Sequence, residues 1–212
     1  MARHSKEDAL ATRHQLLDAA ECVFAEKGVS RACLHDIAQA AGVSRGAIYW
    51  HFKNKADLFN AMMERITLPM EGALHQIGHV AGQDPLGELR CAILDSMRKI
   101  ASDERTRLVF EVATLKVEYV DELLAVKERH LQCQGDAVRQ IQRSLQDACA
   151  RRSLPLMVSP STAAQGLHAL VVGLIHTWLL DPKVFDLVQV AEMAIGAYLA
   201  GVGLTPEPAS AQ

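Results

Sequence analysis

The sequence predicts an all-α protein, and three observations carry that prediction. Half of the 212 residues are apolar while only 5% are aromatic, and the apolar set is dominated by Ala, Leu and Val with few β-branched runs, a mixture that favours helix. Apolar residues recur at three-to-four spacing along nearly the whole chain. Turn signals fall between those stretches as single Gly or Asp-Pro steps rather than as the closely spaced clusters of an all-β chain. The length allows one ordinary domain and a small one.

Leu10, Leu16, Leu17, Ala20, Val23 and Phe24 lie on one face of a first helix, and Gly28 stands where a left-handed C-cap would stop it. Leu34, Ile37, Ala38 and Ala41 predict a second helix of only two turns before the turn Gly42-Val43-Ser44. The Ser44 hydroxyl is placed to cap a third short helix, with Ala47 and Ile48 inward and Arg45, Gly46, Tyr49 and Trp50 outward. Two short helices joined by a tight Gly turn are the signature of a helix-turn-helix. Asn54 and Asp57 resemble a capping box for a fourth helix through Leu58, Phe59, Met62, Met63 and Ile66, which Pro69 should end or kink.

Asp84-Pro85 has the form of an N-cap followed by Pro and opens a helix with Leu86, Leu89, Ile93, Met97 and Ile100. Amphipathic helices follow over about 105–115 and 121–151, the second with Leu131, Val138, Ile141 and Leu145 on one face. A Pro-bearing connection over 153–161 leads to a very apolar helix with Leu167, Leu170, Val171, Leu174, Ile175 and Trp178. Asp181-Pro182 breaks it. A last helix carries Leu187, Val190, Ala194, Tyr198 and Val202. The division expected is 1–65, 66–204 and a disordered tail over 205–212.

Charge narrows the function. The net charge of −3 argues against a general polyanion binder, yet Ile37 to Ala56 holds Arg45, His51, Lys53 and Lys55 and no acid, a local cationic surface that attracts a phosphate backbone. The cysteines (Cys22, Cys33, Cys91, Cys133, Cys149) are odd in number, without CxxC spacing or a preceding secretory signal, so neither a disulfide framework nor a zinc site is expected and a reducing cytoplasm fits. Ser153 to Leu180 carries no charge, but its prolines, His168, His176 and Thr177 leave less than the ~20 apolar residues of a membrane span. A buried helix is expected there.

Thr12-Arg13, Leu17, Ala19-Ala20, Phe24, Gly28, Asp36-Ile37-Ala38, Ala41-Gly42-Val43-Ser44, Gly46, Ile48-Tyr49-Trp50-His51-Phe52 and Lys55 to Leu58 together resemble the DNA-binding domain of the TetR family, over residues 10 to 65. Further on, Asp84-Pro85-Leu86-Gly87, the Asp103 to Arg107 turn, Lys116 with Glu118-Tyr119, and Leu174-Ile175 with Trp178-Leu179-Leu180 resemble the AcrR/TtgR-type branch of that family, repressors of multidrug efflux pumps. The resemblance implies a DNA interface of Cys33, Ser44, Arg45, Gly46, Tyr49, Trp50, His51 and Lys55. Gly46 would let backbone approach phosphate, Tyr49 would reach phosphate or a thymine methyl, and Arg45 would read a guanine edge. Lys55 would hold phosphate at a helix start. Cys33 departs from the family's usual Thr or Ser, and a thiol both caps and contacts phosphate poorly. Trp50 and Phe52 are expected to pack rather than to read bases.

The resemblance also implies a homodimer on double-stranded operator DNA and a cavity for a lipophilic or aromatic effector. Its lining would be Ile66, Met70, Leu74, Ile93, Met97, Phe110, Ile141, His168, Val171, Ile175 and His176. His168 and His176 are equally open to a plain core role. His75 and His79 have the spacing of a metal pair but no third ligand, so no metal and no cofactor is expected. Cys91, Cys133 and Cys149 read as buried small hydrophobes. Gly166, Gly173 and Gly196 in apolar helices imply close helix approach, favouring a subunit interface over 161–202 with Leu167, Leu174 and Trp178 on its apolar face. No phosphate-cradling loop or nucleophile-base pair suggests an enzyme. The rival reading is a DNA-binding adaptor whose body only dimerises and binds no ligand.

Overall fold

The computed structural model describes residues 2–77, 84–152 and 156–204, with side chains from Lys6 onward. Among them every regular element is helical: α1 (Ala2–Lys27), α2 (Leu34–Ala40), α3 (Arg45–His51), α4 (Lys55–His75), α5 (Pro85–Ser102), α6 (Glu104–Leu115), a short 3₁₀ turn (Asp121–Leu123), α7 (Leu124–Arg152), α8 (Pro160–Leu180) and α9 (Leu187–Gly201). The chain divides into two compact units, the first made of Met1–Leu68 with Arg105–Gln132 and the second of Pro69–Glu104 with Cys133–Gln212. The first boundary thus falls at Leu68 rather than 65, and a distant stretch joins the N-terminal unit.

In that unit the punctuation is as the sequence reads. Gly28 and Gly42 take φ of +77° and +68°, backbone that only glycine adopts without strain, and they end α1 and α2. The core gathers Leu16, Leu17, Ala20, Phe24, Ile37, Ile48, Phe52, Leu58, Phe59 and Met62, and it is completed by Val109, Val112, Leu123 and Val126 from the second stretch. Phe24 and Phe59 meet with ring centroids 5.9 Å apart. A charge cluster crosslinks α1, α4 and α6. Arg65 pairs with Asp18 at 2.9 Å and with Glu21, while Arg105 pairs with Asp18 and reaches Glu21 at 3.0 Å. Glu21 is buried, and the two guanidiniums supply the compensation that a buried carboxylate needs.

The second unit packs α9 against α5 and α8. Leu86, Leu89, Met97, Leu145, Leu167, Trp178, Ala191, Ile195 and Leu199 are buried in it. Arg90 on α5 pairs with Glu192 on α9 at 2.5 Å, and Arg152 on α7 with Asp84 at 3.2 Å. Tyr198 donates from its hydroxyl to the Ala163 carbonyl at 2.8 Å.

Several expectations are corrected. Pro69 does not end α4, which runs on to His75 with the proline inside it. Leu131 is exposed, so the apolar face of α7 is Ile141, Leu145 and Ala148. α8 has 21 residues, long and apolar enough to cross a membrane by length and composition alone, because Pro160 sits in its first turn and starts the helix instead of breaking it. Its Ala163, Ala164, Leu167, Trp178 and Leu179 are buried within the fold. Cys91 is exposed while Cys133 and Cys149 are half-buried. Burial pushes the Cys149 thiol above its ordinary value, which leaves little thiolate. His75 is exposed, and its expected companion His79 lies outside the described residues, as does the tail over 205–212.

Candidate nucleic-acid interface

The interface begins with α2, whose seven residues need strong capping to persist. Cys33 provides it. Its Sγ accepts the Asp36 N–H at 3.4 Å, and the Asp36 carboxylate accepts the Cys33 N–H at 3.1 Å, a capping box built on a thiol. Those bonds, with Lys27 at 3.1 Å, hold the Asp36 carboxyl down to about 2 from 3.8. The weak cap expected of Cys33 is therefore reinforced by its acidic partner.

Ser44 caps α3 as predicted, its Oγ accepting the Ala47 N–H at 3.2 Å. The helix buries Ile48 alone and presents Arg45, Gly46, Tyr49 and Trp50 to solvent. Arg45 lies over the Tyr49 ring at 5.8 Å, so guanidinium and phenol form one surface. Trp50 is 74% exposed, which corrects the packing role expected of it. Phe52 is buried as expected. A Cβ added at Gly46 would meet nothing closer than Ser44 Oγ at 3.9 Å, so the absence of a side chain there answers no demand inside the protein.

Lys55 differs most from expectation. It is 8% exposed, and its ammonium donates to the Ser30 and Ala32 carbonyls at 3.0 Å each and pairs with Glu122 at 2.6 Å. An ammonium has three donors, and all three directions are occupied. Lys55 is a staple within the first unit rather than a phosphate hook. The start of α4 is capped beside it, where Asn54 accepts the Asp57 N–H at 2.8 Å and Asp57 accepts the Lys53 N–H at 2.9 Å.

One side chain that belongs to the family resemblance but was expected in no role of its own stands next to α3. Arg13 of α1 places its guanidinium 5.2 Å from the centroid of Phe52. Burial and, after it, the Arg13 charge hold the His51 imidazole below its ordinary value.

The residues expected to line an effector cavity fall in both units. Ile66 and Phe110, both part-buried, belong to the first; Met70, Leu74, Ile93, Met97, Ile141, His168, Val171, Ile175 and His176 belong to the second. Ile93, Met97 and Ile141 are buried, and Met70, Leu74, His168, Val171 and Ile175 are part-buried. His176 is exposed because it lies nine residues, about two and a half turns, from the buried Leu167. That places it on the opposite face of α8. Leu167 and Trp178, expected at a subunit interface, are buried inside this chain instead. Gly166 is likewise accounted for internally, since a Cβ there would fall 2.2 Å from the Tyr198 hydroxyl, whereas nothing lies within 4 Å of one at Gly173 or Gly196.

With this geometry in view, two family profiles cover most of the chain. Residues 16–62 match the tetR family of bacterial regulatory proteins, and residues 84–203 match the C-terminal region of MAATS-type transcriptional repressors. The chain belongs to the TetR family. TetR-family proteins are transcriptional regulators and not enzymes, and their N-terminal domain is a helix-turn-helix. The HTH-type transcriptional regulator TtgR of Pseudomonas putida is 35% identical over 206 residues, covering 97% of this chain and 98% of TtgR. Among solved TetR-fold structures, NalD, the secondary repressor of the MexAB-OprM multidrug efflux pump in Pseudomonas aeruginosa, superimposes with a TM-score of 0.84 at 35% identity, over 93% of this chain and 98% of NalD. A SmeT–triclosan complex superimposes with a TM-score of 0.80 at 32% identity, over 95% of this chain and all of SmeT's.

Proposed function

We propose that the protein is a ligand-responsive repressor that binds a near-palindromic operator as a dimer, controls a multidrug efflux operon and is released by lipophilic, aromatic small molecules. The observation that carries the DNA-binding part is α3: a capped helix with one buried residue, an unneeded glycine and an exposed Arg45–Tyr49–Trp50 surface inside an acid-free stretch. Arg45 is positioned to read a guanine edge, and Tyr49 and Trp50 to meet phosphate or thymine methyls. One such helix reads too few bases to be selective alone, hence two-fold symmetry. The dimer is proposed on the face of α8 and α9 that exposes Val172, Gly173, Leu180 and Met193.

Similarity over nearly the whole chain to NalD, a repressor of an efflux pump, and to SmeT, which is known in complex with triclosan, supports the physiological class. The part-buried Met70, Leu74, Val171 and Ile175, with His168 as the polar group, are the proposed effector contacts. Sparse polar groups in an apolar lining orient a ligand, and methionine adapts to several shapes.

The experiment pairs gel-shifts on the promoter fragment upstream of the chain's own gene with calorimetry against hydrophobic antimicrobials and plant phenolics. Ligands should bind at about micromolar affinity and free the DNA, because a ligand acts only through its differential affinity for the two states. If DNA is bound but no compound binds or releases it, the ligandless adaptor replaces this reading. Loss of DNA binding in Tyr49→Ala and Arg45→Ala with an intact fold is expected; wild-type binding by both would remove α3 from the interface.

A further inference from the structure

With Lys55 committed inside the first unit, the surface around α3 lacks the cation that was expected to grip the DNA backbone at its far end. Another cation occupies that end. Arg13, the twelfth residue of α1, is half-buried with its guanidinium over the ring of Phe52, the residue that caps the C-terminus of α3. Stacking on an aromatic face orients a guanidinium without neutralising it, because the N–H groups point outward in the plane of the fork. Among the described residues no carboxylate pairs with Arg13 and none of its N–H groups is donated. The adjacent segment from Ile37 to Ala56 contains no acid that could take that role.

Next to this guanidinium is the His51 imidazole, held toward its neutral form by burial and by the Arg13 charge itself. His51 also meets Trp50 edge-on, with centroids 4.7 Å apart. A pre-oriented cation with all its donors unspent, beside a histidine that burial and that cation hold below its ordinary value, is an arrangement completed by an anion. A phosphate there would accept from the fork and, by its own charge, raise the histidine.

We propose that Arg13 is a phosphate-binding residue of the DNA interface, taking a backbone phosphate at the C-terminal end of α3 together with His51. The proposal rests on α3 being the reading helix, and it adds a contact from α1 that the recognition motif does not contain. The competing role is structural, with Arg13 acting only as a lid on Phe52. Arg13→Met separates the two, since a thioether packs on an aromatic ring as well as the guanidinium does but carries no charge.

The test uses the full-length chain with the promoter fragment upstream of its own gene and a random-sequence duplex of equal length, titrated across a salt series. Arg13→Met should weaken binding to both duplexes by about tenfold, and the slope of log affinity against log salt should become shallower by about 0.9. Arg13→Lys should restore most of that slope. In NMR titrations the free Arg13→Met protein should show His51 closer to its ordinary value, and duplex added to the wild type should raise His51. A wild-type salt slope in Arg13→Met, whether or not its melting temperature falls, overturns the proposal, as does a His51 resonance indifferent to duplex. If Tyr49→Ala and Arg45→Ala weaken binding while Arg13→Met does not, only the Arg13 contact fails. If the wild type binds neither duplex, the DNA-binding reading fails and this contact falls with it.

Discussion

Gly46 is the second residue of a seven-residue helix, and a side chain there would meet only Ser44 Oγ at 3.9 Å. Glycine there costs up to ~1 kcal/mol relative to alanine, and nothing inside the protein offsets that cost. Gly46→Ala is therefore expected to raise the melting temperature slightly while weakening duplex binding at least tenfold. Calorimetry and a gel-shift on the same preparation would show the two moving in opposite directions. Lys55 makes the converse case. Lys55→Met leaves the Ser30 and Ala32 carbonyls and Glu122 without their shared donor, a loss of about 2 kcal/mol. Chemical denaturation should show that loss, with an unchanged salt slope for DNA binding in the folded variant. The outward face of α3 was legible at this scale because Arg45, Gly46 and Tyr49 follow from one cap and one helical period, whereas Trp50, expected to pack, is exposed. Lys55 and Arg13 were not legible, because the carbonyls, carboxylate and ring that fix them lie 23 to 67 residues away along the chain. Periodicity says nothing about such partners.

At the scale of the element, the capping of α2 links acidity to the interface. The Asp36 carboxyl sits at about 2 in the folded protein against 3.8 ordinarily, chiefly through the Cys33 backbone N–H. A lowered folded value means the carboxylate's contribution is complete above pH ~4 and is lost as pH falls toward 2. Asp36→Asn should abolish that part of the acid dependence, and circular dichroism melts between pH 2 and 5 would reveal whether the wild type alone steepens there. Helices were legible wherever a glycine of positive φ or an Asp/Ser cap punctuates the chain, as at Gly28, Gly42, Ser44 and Asp84. Pro69 does not stop α4, although the residues that anchor the helix in the core, Leu58, Phe59 and Met62, all precede it. The apolar face of α8 misled as well. Composition marked the helix as apolar all round, and only packing against α9 decides that Leu167 and Trp178 face inward while Val172 and Leu180 face outward.

For the whole molecule, the proposed dimer can be tested on a side chain that serves nothing within one chain. Met193 is 69% exposed on α9, so Met193→Arg should leave the monomer folded. In an interface it buries an unpaired charge, at about 3–5 kcal/mol, enough to move dissociation by two orders of magnitude or more. Sedimentation velocity at micromolar protein should show a dimer for the wild type and a monomer for the variant; a dimer in both would place the interface elsewhere. The first unit has a different consequence, for recombination. Its core closes only when Val109, Val112, Leu123 and Val126 join the N-terminal helices. A crossover that swaps residues 1–65 onto a foreign body carries the reading helix but leaves behind part of the interior that supports it. Exchange of DNA specificity between such regulators is therefore a two-segment graft, and a nascent chain cannot finish its own reading head until the ribosome has passed residue 126.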